Sequence, residues 1–458
     1  MARPRNAGRR VPSGSTLELE VERLVHGPGA MARTPDGRVV LLDAGLPGER
    51  VRAQVVEERR DFVRARVVRA LGGPAATRRS APCPVVALCG GCPWQALDYG
   101  AQVAAKERVV LRELERAGRV APATVHPPII GDEWRTRHRV RLAVARHGDA
   151  PPTVGYRARA SRTIVPIEDC LIARAELSQA LPLARRLAVV ERSLREVELS
   201  IDDRGALRLR GVCASARPRC AGSAWEELRS VAVERPETRP VGLVLEAAHR
   251  RTSWRSEAGD VVQRLRIRPG MEIGVPLGVF TQVNGALNRA LVADVVREAG
   301  VAAGPRIVDL FCGAGNFALA LARDGADVLG IDSDARAIAA ARASAAALGL
   351  GDRAHFRVGR ADAPALDGWT QSPDVVILDP PRAGAAAILP GILALRPAKL
   401  IYVSCDVATF GRDARVILGA GWRLSSLRLV DLTPQTYRAE VLGVFELTWE
   451  GGDPYRDA

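Results

Sequence analysis

The chain has 458 residues, enough for two or three domains, and its formal net charge of +14 favours a polyanionic partner such as RNA. No apolar run is long enough to cross a membrane, and residues 11–14 (VPSG) occupy the place where a signal peptide would need its apolar segment. Eight cysteines without a signal peptide are typical of a reducing compartment. We therefore expect a cytoplasmic protein that does not associate with membranes.

Residues 15–71 predict a small β-barrel. Four short strand candidates, separated by turn signals, lie at residues 17–21, 39–42, 51–56 and 63–68. The turns GPG (27–29) and LPGE (46–49) resemble those of a TRAM domain, a barrel of the oligonucleotide-binding type found on RNA-modifying enzymes. The resemblance implies that the barrel binds RNA. A barrel without RNA contacts is the alternative.

Four cysteines in the next part of the chain form a candidate metal site. Cys83, Cys89 and Cys92 lie close in sequence, and Cys170 is a distant fourth. Three clustered thiols with one remote partner suit a tetrahedral four-thiolate site, and their spacing alone allows zinc as well as iron. Structural cysteines without a metal are the other possibility. Cys213 and Cys220 lie among prolines and arginines with no other ligand-type residue nearby, so we assign them no role.

The chain up to about residue 270 predicts a mixed α/β region without internal repeats. Asp98 can cap a helix that runs to about Arg116. Arginines alternate with other residues from 135 to 141, so a strand there would place them on one face. Such a face is either an ordinary solvated surface or a contact surface for RNA phosphates.

Residues 271–458 predict a doubly wound α/β domain, because strand-like apolar runs alternate with helical stretches such as 284–299 and 334–348. The loop at 309–316 (DLFCGAGN) follows a strand-like run, and its glycines let the backbone approach a ligand closely. Asp332 ends the next run, where an acid grips ribose hydroxyls. The loop indicates a nucleotide-type cofactor, and by itself it leaves NAD as a rival to S-adenosylmethionine.

Two short motifs follow the next two strand-like runs and predict an active site. DPPR begins at Asp379, after residues 375–378, and SCD (404–406) follows residues 400–403. Open parallel sheets bind their ligands at the carboxyl ends of strands, so both motifs are expected at a ligand site. The thiol of Cys405 is a candidate nucleophile there.

Five ordered motifs resemble those of the RNA 5-methyluridine methyltransferases, class I enzymes that use S-adenosylmethionine, and most closely the branch that acts on 23S ribosomal RNA. The motifs are FTQVN (280–284), FCGAGN (311–316), DPPRAG (379–384), YVSCD (402–406), and PQT (434–436) with Glu440. The resemblance covers nearly the whole chain. It implies a TRAM barrel at 15–71, a central domain with the four-cysteine site at 72–270, and a Rossmann-like methyltransferase domain at 271–458. RNA is the expected partner, and no obligate protein partner is evident.

The resemblance also implies roles for individual residues. Cys405 adds as a thiolate to uracil C6, because C5 is too weak a nucleophile until its electron density is raised. Glu440 then removes the C5 proton, so that Cys405 can leave. The side chains expected around S-adenosylmethionine are Gln282, Phe311, Asn316, Asp332, Asp362 and Asp379, with Asp379 and Arg382 toward the reacting base. The segment CGGCPWQ (89–95) resembles the family's iron-sulfur segment. Cys83, Cys89, Cys92 and Cys170 are therefore expected to hold a [4Fe-4S] cluster.

Four positions depart from the family pattern. Val407 stands where proline is frequent, Thr433 where phenylalanine is common, Arg438 where histidine is usual, and Asp332 where glutamate is often found. Thr433 and Arg438 flank the expected base, so they bear on the orientation and acidity of Glu440 more than on the type of reaction.

Two other functions are compatible with the sequence. One is methylation of cytosine C5 in RNA, which also uses thiolate addition, although PQT with Glu440 favours uracil. The other is a catalytically silent RNA-binding or ribosome-assembly factor that keeps the fold, which the intact Cys405 and Asp379 argue against.

Overall fold

A computed structural model describes residues 12–118, 120–215, 221–232, 239–247, 255–301, 304–360 and 372–448. The chain divides into two compact units. One contains the residues up to Arg112 together with Pro434–Arg438, and the other contains Glu113–Thr433 and the residues from Ala439 onward. The three-domain limits at residues 71 and 270 stay a prediction. No helix in the described ranges is long and apolar enough to cross a membrane.

The regular elements are numbered in chain order. The strands are β1 (Thr16–Leu24), β2 (Ala30–Arg33), β3 (Val39–Leu42), β4 (Arg50–Glu58), β5 (Phe62–Ala70), β6 (Thr124–Ile129), β7 (Arg139–Ala145), β8 (Thr153–Arg157), β9 (Ile164–Pro166), β10 (Leu194–Ile201), β11 (Leu207–Cys213), β12 (Pro240–Ala247), β13 (Arg255–Gly259), β14 (Val262–Arg268), β15 (Met271–Pro276), β16 (Arg306–Leu310), β17 (Asp327–Asp332), β18 (Ala354–Val358), β19 (Val375–Leu378), β20 (Lys399–Ser404), β21 (Trp422–Val430) and β22 (Glu440–Leu447). The helices are α1 (Tyr99–Gly118), α2 (Ala175–Gln179), α3 (Leu181–Val190), α4 (Ala221–Ala232), α5 (Gly285–Ala299), α6 (Ala318–Arg323), α7 (Ala335–Ala347), α8 (Leu389–Ala394) and α9 (Val407–Gly419).

The first unit contains a closed five-stranded barrel, as predicted. Its strands pair in the order β1-β2-β3-β5-β4. In β1 every second residue toward the middle of the strand is buried, which matches the period of two that a half-buried strand requires. The sequence prediction missed β2. Its residues Ala30, Met31 and Ala32 are all buried and therefore show no alternation, and alanine has little preference for strands.

The segment 434–438 belongs to the first unit because of a buried amide pair. Gln102 of α1 donates to Oε1 of Gln435 (2.9 Å), and its own Oε1 accepts the backbone N–H of Gln435 (2.9 Å). The backbone N–H of Trp94 donates to the carbonyl of Gln435 (3.1 Å). Gln435 is fully buried with a φ of 67°, a strained conformation that these hydrogen bonds hold in place.

A seven-stranded sheet lies in the second unit, in the order β13-β12-β11-β10-β7-β8-β9. The expectation of one arginine face from 135 to 141 is wrong at its start, because β7 begins only at Arg139. Arg135 precedes the strand with a φ of 57° and donates to both carboxylate oxygens of Asp169 (2.7 and 2.6 Å). Arg139 and Arg141 do share a face of β7, opposite the buried Val140 and Leu142.

The second unit also contains the predicted doubly wound sheet. Its order is β18-β17-β16-β19-β20-β22-β21-β6, and β14 and β15 form a separate two-stranded ribbon. The five strands from β18 to β20 are parallel, and β22 is inserted antiparallel to both β20 and β21. Asn284 caps α5 by accepting the N–H of Leu287, and Asp334 caps α7 by accepting that of Arg336. The predicted helices at 284–299 and 334–348 are therefore confirmed.

Helix α9 is seated on this sheet by aromatic packing. The ring of Phe410 lies 5.3 Å from that of Tyr402 in β20 and 6.0 Å from that of Phe445 in β22, measured between ring centroids. The ring fits because residue 443 of β22 is glycine, where an added Cβ would lie 2.5 Å from Phe410. Since α9 begins just after Cys405, this contact also fixes the chain beside the candidate nucleophile.

Replacing Gly443 with alanine is expected to lower the free energy of unfolding by about 1–3 kcal/mol, because the added methyl group overpacks the contact with Phe410. Chemical denaturation measures the change. Gly419→Ala is the matched control, since a Cβ at this last residue of α9 meets no heavy atom within 4 Å. The control should be neutral or stabilising by up to about 1 kcal/mol. Equal stability of Gly443→Ala and the parent protein would contradict this account of the packing.

Candidate active site

The carboxyl ends of three parallel strands bring the predicted motifs to one edge of the eight-stranded sheet. Leu310 of β16 pairs with Leu378 of β19, which pairs with Tyr402 of β20. Asp379 directly follows β19, and its N–H donates to the carbonyl of Leu310 (3.4 Å). Cys405 follows the last residue of β20. Asp379 and Cys405 thus lie at the edge where open parallel sheets bind ligands.

The register of β22 against β20 adds Glu440 to the same edge. Ser404 pairs with Val441 in this antiparallel ladder. One further step along the register places Cys405 opposite Glu440, the first residue of β22. Both side chains are half-buried. Strand order and register therefore bring together the thiol of Cys405 and the carboxyl groups of Asp379 and Glu440, although these residues are far apart in the sequence.

The environment of Cys405 favours the protonated thiol over the thiolate. Burial raises the pKa of Cys405 to about 11, and the negative charges of Glu440 and Asp379 add to the effect, whereas Arg382 opposes it. Helix α9 starts two residues later, with Asp406 as its cap through the N–H of Thr409 (3.0 Å). A helix N-terminus favours a nearby thiolate, so α9 and Arg382 act in the same direction.

The position of Val407 explains the first departure from the family pattern. Val407 is the first residue of α9 and is fully buried. Proline is well suited to that place, because the first N–H of a helix has no partner within the helix. Valine also satisfies the position, since it fills buried space while Asp406 provides the cap.

The carboxyl groups of Asp379 and Glu440 at this edge have raised pKa values, so they are protonated more readily than usual. Burial raises the pKa of Asp379. Burial and the charge of Asp379 raise the pKa of Glu440 well above its ordinary value, while Arg382 lowers it. Neighbouring carboxyls with little access to water share protons, because ionising one makes ionising the other harder. An acid with a raised pKa becomes a stronger base once it is ionised.

Most of the residues expected around the cofactor line one cavity. Gln282, Phe311, Asn316 and Asp379 are among its lining residues. Phe311 has a φ of 64° and donates its N–H to the carbonyl of Ile331 (2.9 Å). This left-handed turn starts the glycine loop, so that the loop backbone faces the cavity. Asp362, which was also expected at the cofactor, lies outside the described residues.

The carboxylate of Asp332 is hydrogen-bonded to the glycine loop. It accepts the N–H of Gly313 (3.0 Å) and the N–H of Asp334 (2.8 Å). Asp309 supports the loop from the other end by accepting the N–H of Ala318 (3.0 Å). Asp309 is completely buried, which raises its pKa well above the ordinary value and keeps it protonated.

The sequence prediction missed two residues of the cavity wall. Asn288 of α5 forms a reciprocal amide pair with Asn316 (2.8 and 3.0 Å). His138 is 8% exposed and also lines the cavity, and within the described part of the chain its Nε2 has no hydrogen-bond partner. Burial, followed by the charge of Arg139, lowers the pKa of His138 to about 4, so the ring is neutral at pH 7. The pairing of Asn288 with Asn316 could not be predicted because the two residues are distant in sequence. His138 lies between Arg137 and Arg139, and no local motif marks it as a residue of the cavity.

The four cysteines of the candidate metal site are all half-buried. The N–H of Gly91 donates to the sulfur of Cys89 (3.4 Å), and the hydroxyl of Tyr156 donates to the sulfur of Cys170 (3.5 Å). In the ranges that the structure describes, no three His, Cys, Asp or Glu side chains are gathered so that they could hold a metal ion. Cys220 lies outside those ranges.

Cys312 is buried in the glycine loop, and burial raises its pKa well above the ordinary value, so this thiol is unreactive.

Comparison with known proteins decides the family. Residues 302–403 match a family model described as a methyltransferase domain, and residues 10–68 match that of the TRAM domain. The chain is 32% identical to the 23S rRNA (uracil(1939)-C(5))-methyltransferase RlmD of Shewanella amazonensis, over 94% of this chain and 96% of that protein. It is 34% identical to RlmD of Pseudomonas putida, over 95% of each. The chain belongs to the RNA uracil-C5 methyltransferase family.

Membership in this family confirms the resemblance that the five motifs indicated, together with the predicted enzyme class. A solved structure agrees on the fold. The Pyrococcus abyssi tRNA (uracil-54, C5)-methyltransferase in complex with S-adenosyl-L-homocysteine aligns with 94% of this chain and 100% of its own, with a TM-score of 0.70 at 20% identity. The predicted barrel is a TRAM domain, and the doubly wound sheet is the methyltransferase fold.

The neutral state of His138 should make the protein sensitive to mild acid. An unfolded histidine binds a proton near pH 6.5, whereas folded His138 does so only near pH 4. The free energy of unfolding should therefore fall as the pH drops from about 6.5 to about 4, by at most about 3 kcal/mol from this group. His138→Gln should show a shallower loss of stability over this range in denaturation measured at several pH values. His147→Gln, at an exposed position, should follow the parent protein; identical slopes for all three would contradict the burial of a neutral imidazole.

Proposed function

We propose that the protein transfers a methyl group from S-adenosylmethionine to C5 of a uridine in 23S rRNA, with Cys405 as nucleophile and Glu440 as base. The observation that carries this proposal is the β20–β22 register: Ser404 pairs with Val441, so the next residues along the two strands, Cys405 and Glu440, lie at the same edge of the sheet as Asp379, which lines the cavity. The relatives named above are 23S rRNA (uracil(1939)-C(5))-methyltransferases by name, so the corresponding uridine is the proposed target. A cytoplasmic location is part of the same proposal, because a bacterial ribosomal RNA substrate would be met there.

In this proposal Gln282, Phe311, Asn316 and Asp379 surround the cofactor, which supplies an electrophilic methyl group and a sulfonium cation when bound. Asp332 holds the glycine loop that faces it. Asp379 and Glu440 would ionise more readily beside that cation and so become competent bases. The reaction then needs each of the two catalytic groups at a different step.

Cys405 acts first. Its thiolate forms a bond to uracil C6 and moves an electron pair toward C5 and O4, so that C5 forms its bond to the methyl carbon as the bond from that carbon to sulfur breaks. The product carries both a methyl group and a proton on C5. The Glu440 carboxylate removes this proton, the C5–C6 double bond returns, and the bond between C6 and the Cys405 sulfur breaks. The raised pKa of Glu440 suits this step, because a weakly acidic carboxyl is a stronger base.

We also propose that the TRAM barrel contributes RNA contacts. Arg64, Arg66 and Arg69 are exposed on the outer face of β5, where guanidinium groups can neutralise phosphates. Such contacts add affinity without reading the base sequence. Specificity for one uridine is then left to the active-site edge and to the shape of the RNA.

A [4Fe-4S] cluster held by Cys83, Cys89, Cys92 and Cys170 is a further part of the proposal. Thiolates are the donors that such clusters use. The N–H donated to Cys89 and the O–H donated to Cys170 would stabilise negative charge on these sulfurs. No step of methyl transfer depends on the cluster.

Two variants separate the steps of the mechanism. Cys405→Ala is expected to lose methylation of a 23S rRNA transcript by at least about a thousandfold, because without the C6 adduct C5 stays unreactive. Cofactor affinity should stay within about twofold, since Cys405 forms its bond to the RNA and not to the cofactor. Methyl incorporation and calorimetric cofactor binding are the two measurements. Substantial methylation by Cys405→Ala would rule out this nucleophile.

Glu440→Gln should instead trap the RNA. Addition and methyl transfer still occur, but without a base the C5 proton remains and the thioether to C6 persists. Denaturing electrophoresis with labelled transcript should show a slowly migrating protein–RNA band that disappears in the Cys405→Ala, Glu440→Gln double variant. If Glu440→Gln turns over as fast as the wild-type protein, another group must remove the C5 proton.

The cluster is tested independently of activity. Anaerobically purified protein should be brown and contain about four irons per chain. Cys170→Ser should lower the iron content, whereas Cys213→Ser, at a buried cysteine to which we assign no ligand role, should leave it unchanged. Stoichiometric zinc with negligible iron would contradict the proposal.

A further inference from the structure

Helix α9 carries a buried carboxylate, Asp413, to which the reaction described above assigns no role. Asp413 is 0% exposed. Its Oδ2 accepts the backbone N–H of Ala385 (2.7 Å) and the hydroxyl of Tyr402 (2.8 Å), and its Oδ1 accepts Nε of Arg412 (2.8 Å). Burying a charge is costly unless it is fully hydrogen-bonded, so this arrangement ties three parts of the chain together firmly.

The segment that Asp413 anchors is the turn carrying Arg382. The N–H of Gly384 donates to the carbonyl of Pro381 (2.8 Å) and closes the turn, which we call the 381–384 turn. Arg412 donates to the carbonyl of Ala383 (2.8 Å), so α9 grips the turn directly as well as through Ala385. Gly384 has a φ of 79°, and an added Cβ there would lie 2.5 Å from Oδ2 of Asp413. The turn thus fits against this carboxylate only because residue 384 is glycine.

The two ends of the segment are fixed by different elements. Its start is Asp379, held at the end of β19 by the carbonyl of Leu310. Its end is Ala385, held by Asp413. Arg382 lies between these two fixed residues, and its side chain is exposed to solvent. Its position is therefore set mainly by the backbone of the turn. Its charge nevertheless acts on the reacting groups, because it lowers the pKa of both Cys405 and Glu440.

We propose that Asp413 is a positioning residue, which holds the 381–384 turn so that Arg382 stands beside Cys405 and Glu440. The proposal rests on the function assigned above to those two residues. Asp413 is completely buried and is not among the residues that line the cavity. It acts on the reaction through Arg382, and its loss should therefore appear in the ionisation of the nucleophile as well as in the rate.

Asp413→Asn is the direct test. Asparagine keeps the shape but offers one acceptor oxygen, so it cannot accept from Ala385 and Tyr402 on one side and from Arg412 on the other. Alkylation of Cys405 by iodoacetamide, followed over a pH series by mass spectrometry of its peptide, reports the thiolate fraction. We expect the rate at pH 8 to fall about threefold or more, because the thiol pKa rises by about 0.5 or more when Arg382 is released. Single-turnover methyl transfer should fall with it, whereas cofactor affinity should change less than about twofold.

A double-mutant cycle distinguishes positioning from general loosening. Arg382→Ala alone should lower the alkylation rate in the same direction. If Asp413 acts through Arg382, adding Asp413→Asn to Arg382→Ala should change the alkylation rate no further. Independent, additive effects of the two substitutions would overturn the proposal, and so would an unchanged thiol pKa in Asp413→Asn.

The matched control is Asp294→Asn in α5. Asp294 is also a buried acid, paired with Arg297 and Arg428, and it is remote in sequence from the 381–384 turn. This variant should lose stability without changing the alkylation profile of Cys405. If Asp413→Asn does not fold, Arg412→Ala serves instead, since it removes the bond to Ala383 from a partly exposed position and should produce a smaller effect of the same sign. Failure of the assigned function would appear as absent RNA methylation in the parent protein, whereas failure of this inference would appear in the alkylation of the variants.

Discussion

The antiparallel pairing of β20 with β22 is the constraint on which the active site depends. Side chains alternate along a strand, so a slip of one residue in this ladder would turn Glu440 to the opposite face from Cys405. The register is held by buried residues on both strands, among them Tyr402, Val403 and Phe445. Parallel pairing of β20 with β19 then adds Asp379 to the same edge. The proposed nucleophile, the proposed base and Asp379, spread over about sixty residues of chain, are in this way brought to one edge by two strand pairings.

The same edge has an electrostatic character that follows from its burial. Asp379, Cys405 and Glu440 are partly removed from water, and burial favours the uncharged form of each. Burial therefore favours the protonated thiol of Cys405 and the protonated carboxyls of Asp379 and Glu440. The positive end of α9 and the charge of Arg382 oppose this tendency at Cys405. Because Arg382 lies on an exposed turn, its influence depends on the anchoring of that turn by Asp413 and Arg412.

The sequence was sufficient to predict the barrel, the doubly wound sheet and the residues at the strand ends, because each of these is written in local apolar patterns and short motifs. It failed where a residue's role depends on distant partners. Gln435 reads as part of a catalytic motif, yet its buried amide is paired with Gln102. Nothing in the local sequence singles out Asp413, yet it is completely buried. The short strand β2 has no alternation to detect, and Arg135 leaves the expected strand because it is held by Asp169. The ligand role of the four cysteines stays a prediction.

The central claim is that this chain methylates one uridine of 23S rRNA through Cys405. The most direct measurement is a map of 5-methyluridine in 23S rRNA from cells that lack the gene, from cells complemented with the intact gene, and from cells complemented with Cys405→Ala. The account predicts that one 5-methyluridine, at the position corresponding to uracil 1939, is lost in the deletion strain, restored by the intact gene and not restored by the variant. An unchanged map in the deletion strain, or full restoration by Cys405→Ala, would contradict it.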